Sequence, residues 1–283
     1  MLLKTFGWTG VEVPVIGQGT WMIEGSRDAD RRAVGALRAG LDLGMTHIDT
    51  AEMYGNGRAE ELVGEAIAGR RQEVFLVSKV LPTNASYEGA RRACERSLRR
   101  LCTDYLDLYL LHWRGRYALA ETMRAMETLV AEGKIRWLGV SNFDVEDVEE
   151  AQRVLTSGRL AANQVLYHLG DRGIERRLIP YCAAQGIAVV AYSPFGHGDF
   201  PSAASPGGKV LARVAARHGR SARQVALNFL TRLAPVLTVP KASAREHAEE
   251  NSGGCGWTLP VEDEAAIDRA FPAPERDTPL GML

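Results

Sequence analysis

Short apolar runs recur along the chain at intervals of about thirty residues. They are "VIGQGTW" (15–21), "THIDTA" (46–51), "VFLVSKV" (74–80), "YLDLYLLHW" (105–113), "IRWLGVSN" (135–142), "ANQVLYH" (162–168), "IAVVAYSP" (187–194) and "VLTVPKA" (236–242). Each is too short for a core helix, and most are rich in Val, Ile, Leu and Tyr. They are apolar nearly throughout, as strands covered on both faces should be. Between them the pattern shifts to a helical period. "DRRAVGALRAGLDLG" (30–44) predicts a helix closed by a glycine at C′. "ALAETMRAMETLVAEGK" (118–134) places Leu119, Met123, Met126 and Val130 on one face. "DVEDVEEAQRVL" (144–155) opens on Asp144 as N-cap, with acids in its first turn that suit the helix dipole.

Eight strands alternating with helices predict a (β/α)8 TIM barrel, a single domain spanning residues 1–283. The interval before the last strand approaches fifty residues. A loop, "FGHGDFPSAASPGG", and two helices, "KVLARVAARHG" and "SARQVALNFLTRL", fill it, so extra helices accompany the last strand. The opening "KTFGWTGVEVP" predicts a β-hairpin with a Thr-Gly turn that seals the barrel bottom. A doubly wound sheet is the competing architecture, but no G-x-G-x-x-G follows any strand, and "GNGRAE" (55–60) only half resembles one.

Composition narrows the function. The 283 residues are 46% hydrophobic and 24% charged with net charge −1, so no broad field draws nucleic acid or an anionic membrane. The basic "RRACERSLRRL" (91–101) alternates with Ala93, Leu98 and Leu101 at helical spacing and predicts a solvated helix face. The first residues lack a signal peptide's apolar core, and no stretch has the length of a membrane span. Cys94, Cys102, Cys182 and Cys255 show no metal-ligand spacing, which predicts reduced thiols and a cytoplasmic location; Cys255, in "NSGGCGW", is expected to be a flexible, exposed thiol. No apolar helix face stands out as an interface, so a monomer is expected.

Active sites of such barrels form at the C-terminal strand ends. The polar and aromatic residues there are Trp21 after the first strand, Asp49 and Tyr54 after the second, Lys79 on the third and His112 on the fourth. The remaining strands offer Ser141 and Asn142, Gln164, Tyr192 and Ser193, and Lys241. Singly each has a bland explanation: a strand-end Lys reaching water, a satisfied core His, a helix cap. Together they suit one chemistry. A Tyr hydroxyl with a pKa of about 10 is a poor acid at neutral pH. A nearby ammonium lowers that value, and a carboxylate holds the ammonium charged and oriented. Such a phenol can protonate a carbonyl oxygen as hydride reaches the carbon, while a neutral His donates to the same oxygen. A barrel glycosidase would need a second strand-end acid, but Asp104 and Asp107 fall early in their strand. A metal-dependent hydrolase would need clustered His and acids, and the six His are scattered.

With "GLDLGMTHIDTAEMYGNG", "LHW", "GVSNF", "NQVLYH", "AYSPFG" and "VPKASAREHAEEN" at these positions, the whole chain resembles the aldo-keto reductases, and most closely the short-loop bacterial reductases of small aldehydes and ketones. The resemblance implies a catalytic tetrad of Asp49, Tyr54, Lys79 and His112 and an extended NADPH across the barrel mouth. Ser141, Asn142 and Gln164 would hold the carboxamide, Tyr192 would stack on the nicotinamide, and Asp49 would also touch the ribose. Gly19, Thr20 and Trp21 would border the cofactor, and Ser193, Pro194, Phe195 and Gly196 would line the pyrophosphate. Asp199 would close a clasp by pairing with Lys241. Lys241, Ala242 and Ser243 would meet the 2′-phosphate, and Glu250 and Asn251 the adenine amine. His247 stands where many members carry Arg. Neutral His is the weaker phosphate partner, which implies only a modest preference for NADPH and room for NADH.

The substrate pocket would be bounded by Trp21, Tyr54, His112 and Trp113, with contributions from Met22 and the region of Tyr87. A short tail, "FPAPERDTPLGML", suggests an open, permissive pocket for methylglyoxal and other small aldehydes, with aromatic aldehydes next. A protein that keeps this fold and binds nucleotide as a sensor or structural subunit is the competing reading.

Overall fold

The computed structural model describes all 283 residues. Strands β1 (Leu3–Thr5) and β2 (Glu12–Pro14) form an antiparallel hairpin whose turn ends on Gly10 in the left-handed region. Its side chains plug the barrel. Phe6 and Val13, both fully buried, join Phe75, Leu108 and Leu237 in one apolar cluster. Burying a side chain of that size is worth about 2 kcal/mol. Lys4 ties the hairpin down by donating to the carbonyls of Thr231, Leu233 and Val236 at 2.6–3.1 Å, and burial pulls its pKa down to about 8.

The barrel runs β3 (Gln18–Gly19), α1 (Arg27–Asp42), β4 (His47–Asp49), α2 (Arg58–Ala66), β5 (Phe75–Val80), α3 (Tyr87–Leu101), β6 (Leu106–Leu111) and α4 (Leu119–Ala131). It continues β7 (Ile135–Ser141), α5 (Val145–Val154), β8 (Ala162–Leu166), α6 (Leu178–Ala184) and β9 (Ala188–Tyr192). Helices α7 (Pro206–His218) and α8 (Ala222–Leu230) precede β10 (Val236–Thr238), and α9 (Arg245–Ser252) and α10 (Val261–Ala270) follow it. Strands β3 to β10 pair in parallel in chain order. The run 15–21 is extended, but only Gln18–Gly19 pairs with β4. Its other backbone groups close the ring: Gly17 N–H donates to Thr238 O at 2.8 Å and Gly19 N–H to Pro240 O at 3.0 Å. A side chain at Gly19 would collide with the Val239 carbonyl, so closure at this seam requires glycine. The predicted (β/α)8 barrel, its hairpin and its extra helices are all present.

Caps set the helix ends. Asp144 accepts from Asp147 N–H as predicted. Helix α7 starts earlier than the "KVLARVAARHG" pattern because Ser205 caps Gly208 N–H and Pro206 fills the first turn. In α4 the buried face includes Leu129, while Val130 turns to solvent. No helix is long and apolar enough to cross a membrane. Cys255 is buried, with its Sγ 3.0 Å from Met1 Sδ, and so is not the exposed thiol expected from its glycine-rich setting. Only Cys102, in the left-handed C-cap of α3, is exposed.

Candidate active site

Strand β4 ends at Asp49, and the chain then turns through Gly55, Asn56 and Gly57, all with positive φ. Three consecutive left-handed residues explain the "GNG". The turn leaves Tyr54 packed against the core and directed at the next strand, where Lys79 Nζ donates to Tyr54 Oη at 3.2 Å. The same ammonium donates to Asp49 Oδ1 at 2.6 Å and to Thr50 O at 2.9 Å. All three Lys79 N–H donors are thus used, and both Lys79 and Asp49 are buried. His112, at the end of β6, packs edge-on to Tyr54 with centroids 5.8 Å apart. The four residues of the predicted tetrad therefore meet in space.

Burial disfavours the Lys79 ammonium, but Asp49 and Tyr54 outweigh it and hold the pKa above its ordinary value. Tyr54 behaves differently from expectation. Burial pushes the phenol up, Lys79 pulls it down, and Asp49 opposes Lys79, so the pKa is raised rather than lowered. The phenol therefore holds its proton, with the Lys79 ammonium directed at its oxygen. His112 is held neutral, its pKa pushed down to about 2 by burial and then by Lys79. Its Nδ1 is buried without a partner, whereas Nε2 makes no protein hydrogen bond and opens to the adjoining cavity.

That cavity, of about 190 Å³, is bounded by Trp21, Tyr54, His112 and Trp113 together with Ser141, Asn142, Gln164 and Tyr192. Met53, Met282 and Leu283 complete the wall. Met22 lies instead at a neighbouring cavity, and Tyr87 is remote, its hydroxyl against Thr128 and its ring under Arg91 and Arg124. The tail does not leave the pocket open: it returns across the barrel mouth, pinned by Arg176 to Asp277 at 3.0 Å and by Gly281 pressed against Asp171. Nothing in "TPLGML" signals this return, which depends on partners about a hundred residues away.

The base of the cavity is a hydrogen-bonded net. Gln164 Nε2 donates to Asp49 Oδ2 at 2.7 Å, so one end of the predicted carboxamide ligand is already tied to the tetrad. Ser141 Oγ donates to Gln164 O at 2.9 Å, Asn142 Nδ2 to His112 O at 3.1 Å and Tyr192 Oη to Asn142 Oδ1 at 2.8 Å. Burial pushes the Tyr192 phenol up to about 12. Met22, Asn142 and Ser193 at strand ends, and Asn56 in the tyrosine turn, are four of the five non-glycine residues with positive φ. Strained backbone concentrates at this rim, as it does at functional sites.

A second cavity, of about 260 Å³, adjoins the first and shares Trp21, Tyr54 and Tyr192 with it. Gly19, Thr20, Asp49, Ser193, Pro194, Phe195, Gly196 and Lys241 line it, with Met22, His197 and Val239. Ala242, Ser243, His247, Glu250 and Asn251 lie off its wall. Ala242 is buried beside Phe195, Asn251 donates to Lys241 O at 3.4 Å, Glu250 accepts from Ser221 Oγ at 2.8 Å, and His247 is exposed on α9. The expected Asp199–Lys241 ion pair is absent. Asp199 Oδ1 accepts from His197 N–H at 2.7 Å, and Lys241 Nζ reaches Met22 O at 3.3 Å.

The sequence matches the model of the Aldo/keto reductase family over residues 15–271. It belongs to the aldo-keto reductase family. Among this reductase's relatives, methylglyoxal reductase YeaE of Escherichia coli is 47% identical, over 96% of each chain. Glyoxal reductase of Bacillus subtilis is 37% identical over 92% of this chain and 89% of that protein. The crystal structure of an aldo/keto reductase from Klebsiella pneumoniae in complex with NADP and acetate superposes with a TM-score of 0.93, at 46% identity over 99% of both chains. A second structure from that organism, in complex with NADPH, gives the same TM-score over the full length of both chains.

Proposed function

We propose that this reductase uses NADPH to reduce small aldehydes and dicarbonyls such as methylglyoxal, with aromatic aldehydes as further substrates, and that Tyr54 is the proton donor. The observation that carries this reading is the Asp49–Lys79–Tyr54 chain, with links of 2.6 and 3.2 Å, ending on a phenol at the junction of two cavities. One cavity suits a carbonyl compound: it is small, largely apolar and walled by Trp21 and Trp113. The other suits an anionic nucleotide. It carries the Lys241 ammonium, and the left-handed backbone at Ser193 and Gly196 brings the main chain close along its wall. Relatives named methylglyoxal and glyoxal reductases, and neighbours solved with NADP and NADPH, support the same assignment.

NADPH, when bound, supplies the hydride. The chain's own residues do the rest. Gln164, Asn142 and Ser141 would hold the carboxamide and Tyr192 would back the ring, so that the nicotinamide is oriented toward the carbonyl compound. His112 Nε2 donates to the carbonyl oxygen and orients it. The Tyr54 proton moves to that oxygen as charge develops there, and the phenolate left behind is stabilised by Lys79. Asp49 keeps Lys79 charged throughout. In this reading the whole chain acts as one domain, because hairpin and tail close opposite ends of one barrel.

The test follows NADPH absorbance with methylglyoxal, comparing the native protein with Tyr54→Phe. The expected outcome is a loss of at least about a hundredfold in the variant, within the range of general acid catalysis, with NADPH binding retained. A native protein that binds NADPH yet oxidises it no faster than the variant, across a panel of aldehydes and ketones, would refute the reading.

A further inference from the structure

The loop after β9 is built around one carboxylate. Ser193, Gly196 and Gly198 have positive φ, Asp199 Oδ1 accepts the His197 N–H at 2.7 Å, and a side chain on Gly196 would collide with that same oxygen. Only glycine at 196 permits this turn. With Asp199 filling its centre, the turn presents the exposed His197 side chain to Trp21 on the other side of the groove at the end of β10. The rings stack with centroids 5.2 Å apart and planes at 27°.

Trp21 follows β3, which is separated from β9 only by β10 in the closed ring. It is followed by Met22 in the left-handed region, whose carbonyl accepts from Lys241 Nζ at 3.3 Å. Lys241 thus holds the backbone that follows Trp21, and His197 packs on the indole itself. The indole also lines both cavities, the groove assigned to the cofactor and the pocket assigned to the carbonyl compound.

We propose that the His197–Trp21 stack is the strap across the cofactor groove, and that through it His197 positions the indole wall of the substrate pocket. This rests on the reading that the groove takes NADPH. In place of an ion pair between Asp199 and Lys241, an aromatic contact joins the two walls, and Asp199 serves only to shape the turn that presents it. His197 is a positioning residue: it acts on the carbonyl compound through Trp21. Losing the stack frees the loop, which speeds cofactor release, and lets the indole move, which weakens binding of substrates that press on it. Aromatic aldehydes feel that loss more than methylglyoxal, which is too small to fill the pocket.

Stopped-flow displacement of bound NADPH, followed by its fluorescence with no carbonyl compound present, tests the strap directly. His197→Ala should release NADPH roughly two- to tenfold faster, the effect of one aromatic pair, and His197→Phe, which restores a ring, should return most of the native rate. In steady state, His197→Ala should raise KM for benzaldehyde more than KM for methylglyoxal. If native protein and both variants release NADPH at one rate, or if the Phe variant is as fast as the Ala variant, the strap is refuted. Faster release with an unchanged ratio of the two KM values refutes the positioning of Trp21. A native protein that binds no NADPH overturns the functional reading itself, an outcome distinct from these.

Discussion

Lys79 Nζ lies 2.6 Å from Asp49 Oδ1, and both side chains are buried. A buried pair of this kind is weak evidence for stability by itself, because desolvating two ions offsets much of their attraction. Removing one partner is another matter. Asp49→Asn leaves the ammonium buried with no countercharge, and should destabilise the protein by about 3–5 kcal/mol. Denaturant unfolding at pH 7 checks this; a midpoint within error of the native protein would mean the pair is solvated or already neutral.

Two buried imidazoles predict an acid-sensitive fold. His47 is fully buried with neither ring nitrogen hydrogen-bonded, and burial holds its pKa down to about 4, Asp49 opposing and Lys79 adding to the effect. His112 is held near 2. Both folded values lie below the unfolded one, so the unfolded chain binds protons first. The associated stability is complete above about pH 6.5 and falls as pH drops toward the folded values, by up to about 1.4 kcal/mol per pH unit for each group. His47→Leu, which also removes two unpaired buried nitrogens, should flatten the acid limb. Stability curves at pH 7 and pH 5 that stay parallel for native and variant would contradict this account.

Position 247 on α9 should tune the affinity for NADPH. His247 is exposed and brings no permanent charge to the end of the groove expected to meet the 2′-phosphate. His247→Arg should tighten NADPH by roughly tenfold, about the 1.4 kcal/mol of a charge-assisted contact, and leave NADH unaffected. Fluorescence titration with both coenzymes decides it, and equal tightening of the two would show that residue 247 packs on the adenine and does not read the phosphate.

The returning tail should set substrate affinity and leave chemistry alone. A side chain at Gly281 would run into the Asp171 carboxylate, so either that carboxylate shifts or the segment that carries Met282 and Leu283 into the pocket wall does. Gly281→Val is expected to raise KM for aromatic aldehydes several-fold at nearly constant kcat, the pattern of lost uniform binding. A fall in kcat with KM unchanged would mean that the tail shapes the reacting geometry instead.

The alternation of apolar runs with helical segments was enough to give the barrel, because each strand is apolar on both faces and each helix carries its own period and caps. The rule that sites form at the C-terminal strand ends then brought Asp49, Tyr54, Lys79 and His112 to one rim without any distance being known. What the sequence could not show depends on contacts between distant segments. Gln164 and Asp49 are 115 residues apart, and that the amide is already tied to the carboxylate follows only from how β4 and β8 face each other across the barrel. Desolvation, too, is a property of the assembled site, and it reverses the expected direction of the Tyr54 pKa. Asp199 reads as a partner for Lys241 until the backbone of its own loop claims the carboxylate. Cys255 reads as exposed until Met1 covers it, and the tail reads as short until it crosses the pocket. Periodicity and caps are local and were legible in the sequence; the loops, tail and proton affinities were decided by tertiary packing, because their partners lie far along the chain.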